Sequence, residues 1–103
     1  MKGRILICDD DPIIRLDIKQ ILEQSDYEVA AEASDGFEAI ELCQKHFFDL
    51  VIMDIKLPLL DGLSAGKKIL DDGLAYGVII LSAFSDDHYV QKASLTGASA
   101  YLV

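Results

Sequence analysis

Short apolar runs rich in β-branched residues recur along the chain and predict five β-strands. The runs occupy residues 5–8, 29–31, 50–53, 78–81 and 100–103. Each run is continuous rather than alternating with polar residues, which is typical of strands buried on both faces of a parallel sheet.

The segments between the strands place apolar residues three and four positions apart, which predicts helices. One apolar stripe consists of Ile14, Ile18, Ile21 and Leu22, and the next consists of Ala39, Ile40, Cys43 and Phe47. Weaker stripes lie around residues 63–70 and 89–93.

Capping residues mark the helix boundaries. Asp11 before Pro12 is typical of a helix start, and Asp35 with Glu38 three residues later resembles a capping box. Gly97 is expected to end the fourth helix. Strands and helices therefore alternate, and right-handed crossovers between them predict a doubly wound α/β fold around a five-stranded parallel sheet.

Composition narrows the class of protein. The 103 residues are 51% hydrophobic, which is enough for one domain with a core. Nine basic against 18 acidic residues give a net charge of −9, which disfavours direct binding to nucleic acid or to a membrane surface. No apolar run approaches the roughly 20 residues of a membrane span, and we expect a cytoplasmic protein. Cys8 and Cys43 are expected to be buried thiols.

Polar side chains follow three of the predicted strands. Asp9 and Asp10 follow the first strand, Asp54 follows the third and Ser82 follows the fourth. Because the carboxyl ends of parallel strands share one edge of the sheet, these side chains should meet, and the like charges need a cation or a proton to relieve their repulsion. Carboxylate oxygens suit Mg²⁺, and an aspartate beside such a metal can attack phosphorus to form an acyl phosphate. Asp54 is the best candidate for that nucleophile.

Four segments together resemble the receiver domain of two-component response regulators. They are residues 5–12, 51–62, 80–83 and 97–103, and the likeness runs in order through the whole chain. The resemblance implies the flavodoxin-like strand order 2-1-3-4-5. It also implies a signalling domain whose Asp54 is phosphorylated by a sensor histidine kinase.

The resemblance also implies roles for individual residues. It places Asp9, Asp10, Asp54 and the main-chain carbonyl of Lys56 around Mg²⁺. Ser82 takes the position of the switch hydroxyl and Tyr101 that of the switch aromatic. Phosphorylation would then alter the face formed by the fourth helix and the fifth strand.

Two further positions are expected to set the lifetime of the phosphoryl group. Lys56 lies two residues after Asp54, and Phe84 lies two residues after Ser82. In this family such residues flank the path of the attacking water. A large apolar Phe84 should hinder that water, so we expect slow dephosphorylation.

A looser resemblance concerns the output. Residues 13–18, 35–43 and 81–86 are similar to regulators that carry an ANTAR-type RNA-binding domain and act in transcription antitermination. Such an output domain would be a partner outside this chain, and phosphorylation could produce a homodimer.

The chain departs from the family pattern at Val103. The family has a lysine directly after the strand that Val103 ends, followed by a fifth helix, and the sequence stops one residue before that lysine. The expectation is a receiver domain over residues 1–103 that is truncated at its C-terminus and lacks the final helix.

Two alternatives stay open from the sequence. Asp9 and Asp11 form the Asp-x-Asp pair of haloacid-dehalogenase-type phosphohydrolases, in which Asp9 would be the nucleophile. A chain of this length is short for that fold with its cap. The other alternative is a receiver-like domain that binds partners without being phosphorylated, although the complete acidic set disfavours it.

Overall fold

A parallel sheet with helices on both faces forms the protein, as the hydrophobic pattern predicts. The computed structural model describes residues 3–81 and the main chain of residues 100–102. The elements follow in the order β1 (Arg4–Cys8), α1 (Pro12–Gln24), β2 (Glu28–Ala33), α2 (Gly36–Lys45), β3 (Phe48–Asp54), α3 (Gly62–Asp71), β4 (Ala75–Leu81) and β5 (Ala100–Leu102). The strand order is β2-β1-β3-β4-β5, and every neighbouring pair is parallel. The doubly wound fold and its strand order are confirmed.

Aspartate side chains begin all three of these helices. The Asp11 carboxylate accepts a hydrogen bond from the amide of Ile13 at 2.9 Å, and the Asp35 carboxylate accepts one from Glu38 at 2.8 Å. Both caps were expected from the sequence. Asp61 caps α3 in the same way, accepting from the amide of Ser64 at 2.8 Å.

The larger part of the core lies between the sheet and helices α2 and α3. Inward side chains of β1, β3 and β4 pack there on Ala39 and Cys43 of α2 and on Leu63 and Ile69 of α3. A smaller cluster on the opposite face consists of Ile5, Ile7 and Ile52, with Ile18 and Leu22 of α1 packed against it. The neighbouring parallel strands β1 and β3 end at the same edge of the sheet.

The apolar stripe correctly predicted helix α1, which packs through Ile18 and Leu22, whereas Ile14 and Ile21 are exposed. Two other expectations were wrong. Phe47 does not belong to the second helix, because α2 ends at Lys45 and the chain turns extended at His46 to enter β3. β2, the edge strand of the sheet, was expected to be buried on both faces, but Ala33 is its only buried residue.

The C-terminal expectations are met only in part. The last strand was expected over residues 100–103, and β5 is described over Ala100–Leu102, where it pairs with β4. Val103 lies outside the described residues, as do the fourth helix and Gly97.

Candidate acidic site at the carboxyl edge of the sheet

Among the residues that the structure describes, Asp9 is the one charged residue that is buried, with 5% of its surface exposed. It directly follows β1, and its amide donates to the carbonyl of Ala33 at the end of β2, at 3.1 Å. Its Oδ1 accepts from the amide of Asp11 at 2.9 Å. Burial raises the pKa of the Asp9 carboxyl, and the charges of Asp54 and Asp10 raise it further, against the opposing effect of the Asp11 amide.

Asp54 ends β3 and faces the same edge. β3 pairs with β1 up to Met53 beside Cys8, so the residues that follow, Asp54 and Asp9, are neighbours across the two strands. Burial raises the pKa of the Asp54 carboxyl, and the charge of Asp10 also raises it. Hydrogen bonds from the amides of Lys56 and Ile55 act in the opposite direction and orient the carboxylate.

The predicted convergence of three carboxylates is present. One oxygen from each of Asp9, Asp10 and Asp54 lies within 4.8 Å of the others, with Asp9 buried, Asp54 half-buried and Asp10 exposed. Three hard oxygen donors at this spacing, with one side open to water, fit Mg²⁺, which keeps several of its waters when bound. The raised pKa values have in part the same origin, because uncompensated carboxylates in a shared site disfavour each other's ionisation.

The loop after Asp54 is held by main-chain hydrogen bonds. The Ile55 amide donates to the carbonyl of Leu81 at the end of β4, and the Gly62 amide donates to the carbonyl of Ile55, both at 3.0 Å. Gly62 lies so close to Asp54 that a Cβ at this position would overlap the Asp54 carbonyl oxygen. The start of α3 therefore packs directly on the end of β3 and helps to fix where Asp54 lies.

Arg15 also contacts the site, and the sequence interpretation had assigned it no role. Its Nη1 donates to the main-chain carbonyl of Asp9 at 2.6 Å, and its Nε donates to Oε1 of Glu32 at 3.2 Å. The available signal was its position one helical turn after Asp11, where the side chain of a helical residue points back toward the helix start.

The remaining predicted residues are placed only in part. Lys56 is exposed and directly follows the buried Ile55 in the turn out of β3. Tyr101 lies in β5, where its main chain pairs with Ile80, and its side chain is outside the described residues. Ser82 and Phe84 also lie outside them, so the roles expected of these residues stay predictions.

Both cysteines are buried, as expected. Burial raises the pKa of the Cys8 thiol to about 12 and that of the Cys43 thiol to about 11. The charge of Asp35 and those of the acidic site add to the shift at Cys8. Burial therefore disfavours the thiolate, which is the nucleophilic form, at both residues.

Comparison with known proteins assigns this architecture and site to a class. Residues 5–103 match the family of the response regulator receiver domain. The chain belongs to that family, whose members act as phosphoacceptor domains in two-component signalling. Among the described residues, no helix is both long enough and apolar enough to cross a bilayer.

Particular relatives support the assignment. The transcriptional regulatory protein PdtaR of Mycobacterium tuberculosis is 44% identical over 100 residues, which are 97% of this chain and 48% of that protein. The chemotaxis protein CheY of Bacillus subtilis is 40% identical over all of this chain and 86% of its own length. The chain thus spans about half of PdtaR but most of CheY.

Solved structures agree. The receiver domain of the response regulator NarL from M. tuberculosis superposes with a TM-score of 0.92 at 28% identity, over 98% of this chain and 82% of that one. The CheX–CheY–BeF3–Mg²⁺ complex from Borrelia burgdorferi gives 0.89 at 28% identity, over 98% and 77%. These matches favour the receiver and give no support to the phosphohydrolase alternative.

Proposed function

We propose that Asp54 is the residue of this receiver that accepts the phosphoryl group from a sensor histidine kinase. An Asp54 carboxylate oxygen attacks phosphorus, an O–P bond forms, and the P–N bond of the donor phosphohistidine breaks. The imidazole leaves and takes up a proton, and Asp54 is left as an acyl phosphate.

The observation that carries the proposal is the meeting of the Asp54 carboxylate with those of Asp9 and Asp10 within 4.8 Å. Asp54 is half-buried and is oriented by the amides of Lys56 and Ile55, so one face of its carboxylate is held while the other can meet a donor. A structural carboxylate would more simply form an ion pair or cap a helix, as Asp11 and Asp35 do.

Mg²⁺ would be held by Asp9, Asp10 and Asp54 together with the main-chain carbonyl of Lys56. When bound, it neutralises the charge that would otherwise repel a phosphoryl group from this acidic edge. The related CheY of B. burgdorferi forms a complex with BeF3 and Mg²⁺, which supports the same metal here. The amide of Asp11 donates to Oδ1 of Asp9 and so holds this carboxylate in a fixed orientation.

The switch is proposed to run through Ser82 and Tyr101. The phosphoryl group adds charge and acceptor oxygens, Ser82 donates to one of them, and the space that it vacates lets Tyr101 turn inward. The face formed by the fourth helix and β5 would change as a shift between two populations. Lys56 and Phe84 would flank the water that removes the phosphoryl group and so set its lifetime.

The output is proposed to be transcriptional. PdtaR and DegU of Brevibacillus brevis, two of the relatives, are named as transcriptional regulatory proteins. An RNA-binding ANTAR domain acting in antitermination is the output that best fits the similarity of this chain to PdtaR. A cytoplasmic location and dimerisation on phosphorylation belong to the same proposal.

The test is chemical phosphorylation of the purified chain. Phosphoramidate or acetyl phosphate with Mg²⁺ should add one phosphoryl mass, and peptide mapping after borohydride reduction of the acyl phosphate should place it at Asp54. Asp54→Asn should abolish the modification, and excess chelator should reduce it strongly. The matched control is Asp49→Asn at the opposite, exposed end of the same strand, which should leave labelling unchanged.

Each contrary result has a clear meaning. Phosphate found at Asp9 would support the phosphohydrolase instead. Labelling that survives in Asp54→Asn, or that is unaffected by the chelator, would refute the proposed site.

A further inference from the structure

We infer that Arg15 is a positioning residue for the metal-binding pair Asp9 and Asp10. The inference rests on the proposed function, because it concerns how this chain holds the carboxylates that bind Mg²⁺. The peptide bond between those two aspartates is the part of the site that Arg15 contacts.

Asp9 is held at every polar group of its main chain and at one oxygen of its side chain. Its amide donates to the carbonyl of Ala33, and its Oδ1 accepts from the amide of Asp11. Its carbonyl oxygen accepts from Nη1 of Arg15 at 2.6 Å. The donor of that last bond is charged, and such hydrogen bonds are generally stronger than neutral ones.

The carbonyl of Asp9 belongs to the planar peptide that leads into Asp10. Because the peptide is rigid, a hydrogen bond to its oxygen sets the orientation of the whole plane, and with it the direction in which Cα of Asp10 presents its side chain. Asp10 is exposed and lies past the end of β1, so no strand pairing fixes its direction. Arg15 therefore sets how the exposed carboxylate of Asp10 is oriented relative to the buried carboxylate of Asp9.

Glu32 holds the guanidinium in place. It is next to Ala33 in β2, on the face of the sheet that α1 covers, and its Oε1 accepts from Nε of Arg15 at 3.2 Å. The Arg15 side chain is 20% exposed and that of Glu32 is 37% exposed. The fork of the guanidinium thus connects β2, the end of β1 and α1.

Geometry and charge predict opposite effects of removing Arg15, which makes the inference testable. Arg15→Met removes a positive charge that contacts the main chain of Asp9, so charge alone would make Mg²⁺ bind more tightly. Loss of positioning would make it bind more weakly, by about tenfold, the lower end of what lost outer partners of metal ligands usually cost. The sign of the change separates the two.

The experiment is a calorimetric titration with MgCl2 of wild type, Arg15→Met and Arg15→Lys at constant ionic strength, with a thermal melt of each in EDTA. The charge-matched control is Lys45→Met, which breaks only an exposed ion pair with Glu41 on α2. We expect about tenfold weaker binding in Arg15→Met, a smaller loss in Arg15→Lys, and wild-type affinity in Lys45→Met. The Asp10 amide resonance should move in Mg²⁺-free Arg15→Met and stay in place in the control.

Unchanged or tighter Mg²⁺ binding by folded Arg15→Met overturns the inference, even if its melting temperature falls, because that pattern describes a merely structural residue. If Arg15→Met does not fold, Arg15→Lys decides, and wild-type affinity in that variant overturns the inference. If wild type itself shows no saturable Mg²⁺ site that Asp54→Asn weakens, the proposed function fails. If wild type binds Mg²⁺ as expected and Arg15→Met binds it equally well, the inference about Arg15 fails and the proposed function stands.

Discussion

Replacing Gly62 by alanine is expected to destabilise the protein, although alanine is the better helix former. Gly62 is the buried first residue of α3 and packs against the main chain that leaves β3. A methyl group there would overlap the carbonyl oxygen of Asp54 and press on Cα of Ile55. Main-chain atoms cannot rotate away as a side chain can, so the start of α3 or the end of β3 must move.

The size of the effect follows from comparison with Gly66 in the interior of the same helix. Overpacking typically costs about 1 to 3 kcal/mol, and a clash with main chain places Gly62→Ala at the upper end. A methyl group at Gly66 would meet only side-chain atoms, with Val78 Cγ1 at 3.2 Å and Ile80 Cδ1 and Met53 Sδ at 3.5 Å. Those atoms can yield, and replacing an interior glycine by alanine gains up to about 1 kcal/mol, so Gly66→Ala should stay within about 1 kcal/mol of wild type.

The assay is equilibrium unfolding in urea, with thermal melts, for both variants in EDTA. Gly62→Ala should be less stable than Gly66→Ala by about 2 kcal/mol, which corresponds to about 8 to 16 °C in melting temperature for a domain of this size. Phosphorylation of Asp54 should be slower in Gly62→Ala but not in Gly66→Ala. Equal stability of the two variants would refute the argument that the main-chain contact requires glycine at position 62.

Three further predictions concern the site and its surroundings. Burial raises the pKa of the Asp54 carboxyl above its ordinary 3.8, so the folded state holds the proton more tightly than the unfolded state. Without Mg²⁺, the stability of wild type relative to Asp54→Asn should therefore fall as the pH rises from about 3.8 toward neutral. A difference in urea midpoints that is flat or rises with pH would contradict this. Leu59 has a φ of 70° and is 81% exposed. Leu59→Gly should therefore relieve backbone strain and stabilise the protein by about 1 kcal/mol. A lower urea midpoint in the variant would contradict this. Asp35→Ala removes the cap on α2 and should cost about 1 kcal/mol, whereas Asp35→Asn should cost less, and equal losses would show that the cap contributes little.

Local features of the fold could be predicted from the sequence because they depend on neighbours along the chain. The caps at Asp11 and Asp35 act over two and three residues, and the apolar period reports which segments can form strands or helices. Where α2 ends was not predictable in this way. Phe47 continues the apolar period of the helix, but it lies in the turn into β3, because Phe48 beside it is fully buried in the sheet.

The sequence predicted which residues form the acidic site but not how deeply each of them is buried. Asp9, Asp10 and Asp54 stand at strand ends in the sequence, and the parallel sheet required them to meet. Only the tertiary structure decided that Asp9 is buried while Asp10 is exposed, since burial depends on how the elements pack around each side chain. The raised pKa values of Asp9 and Asp54 follow from that burial.

The contact of Arg15 with Asp9 was decided by the tertiary structure, because the position of Arg15 one turn after Asp11 indicates only the direction in which its side chain leans. The sequence shows an arginine one turn into a helix, and such a side chain usually lies in solvent. Glu32 comes from a strand that joins β1 only through long-range pairing, and it turns the guanidinium toward the carbonyl of Asp9. Hydrophobic periodicity determines which segments form elements, but polar contacts between elements depend on their register and packing, which no local pattern encodes.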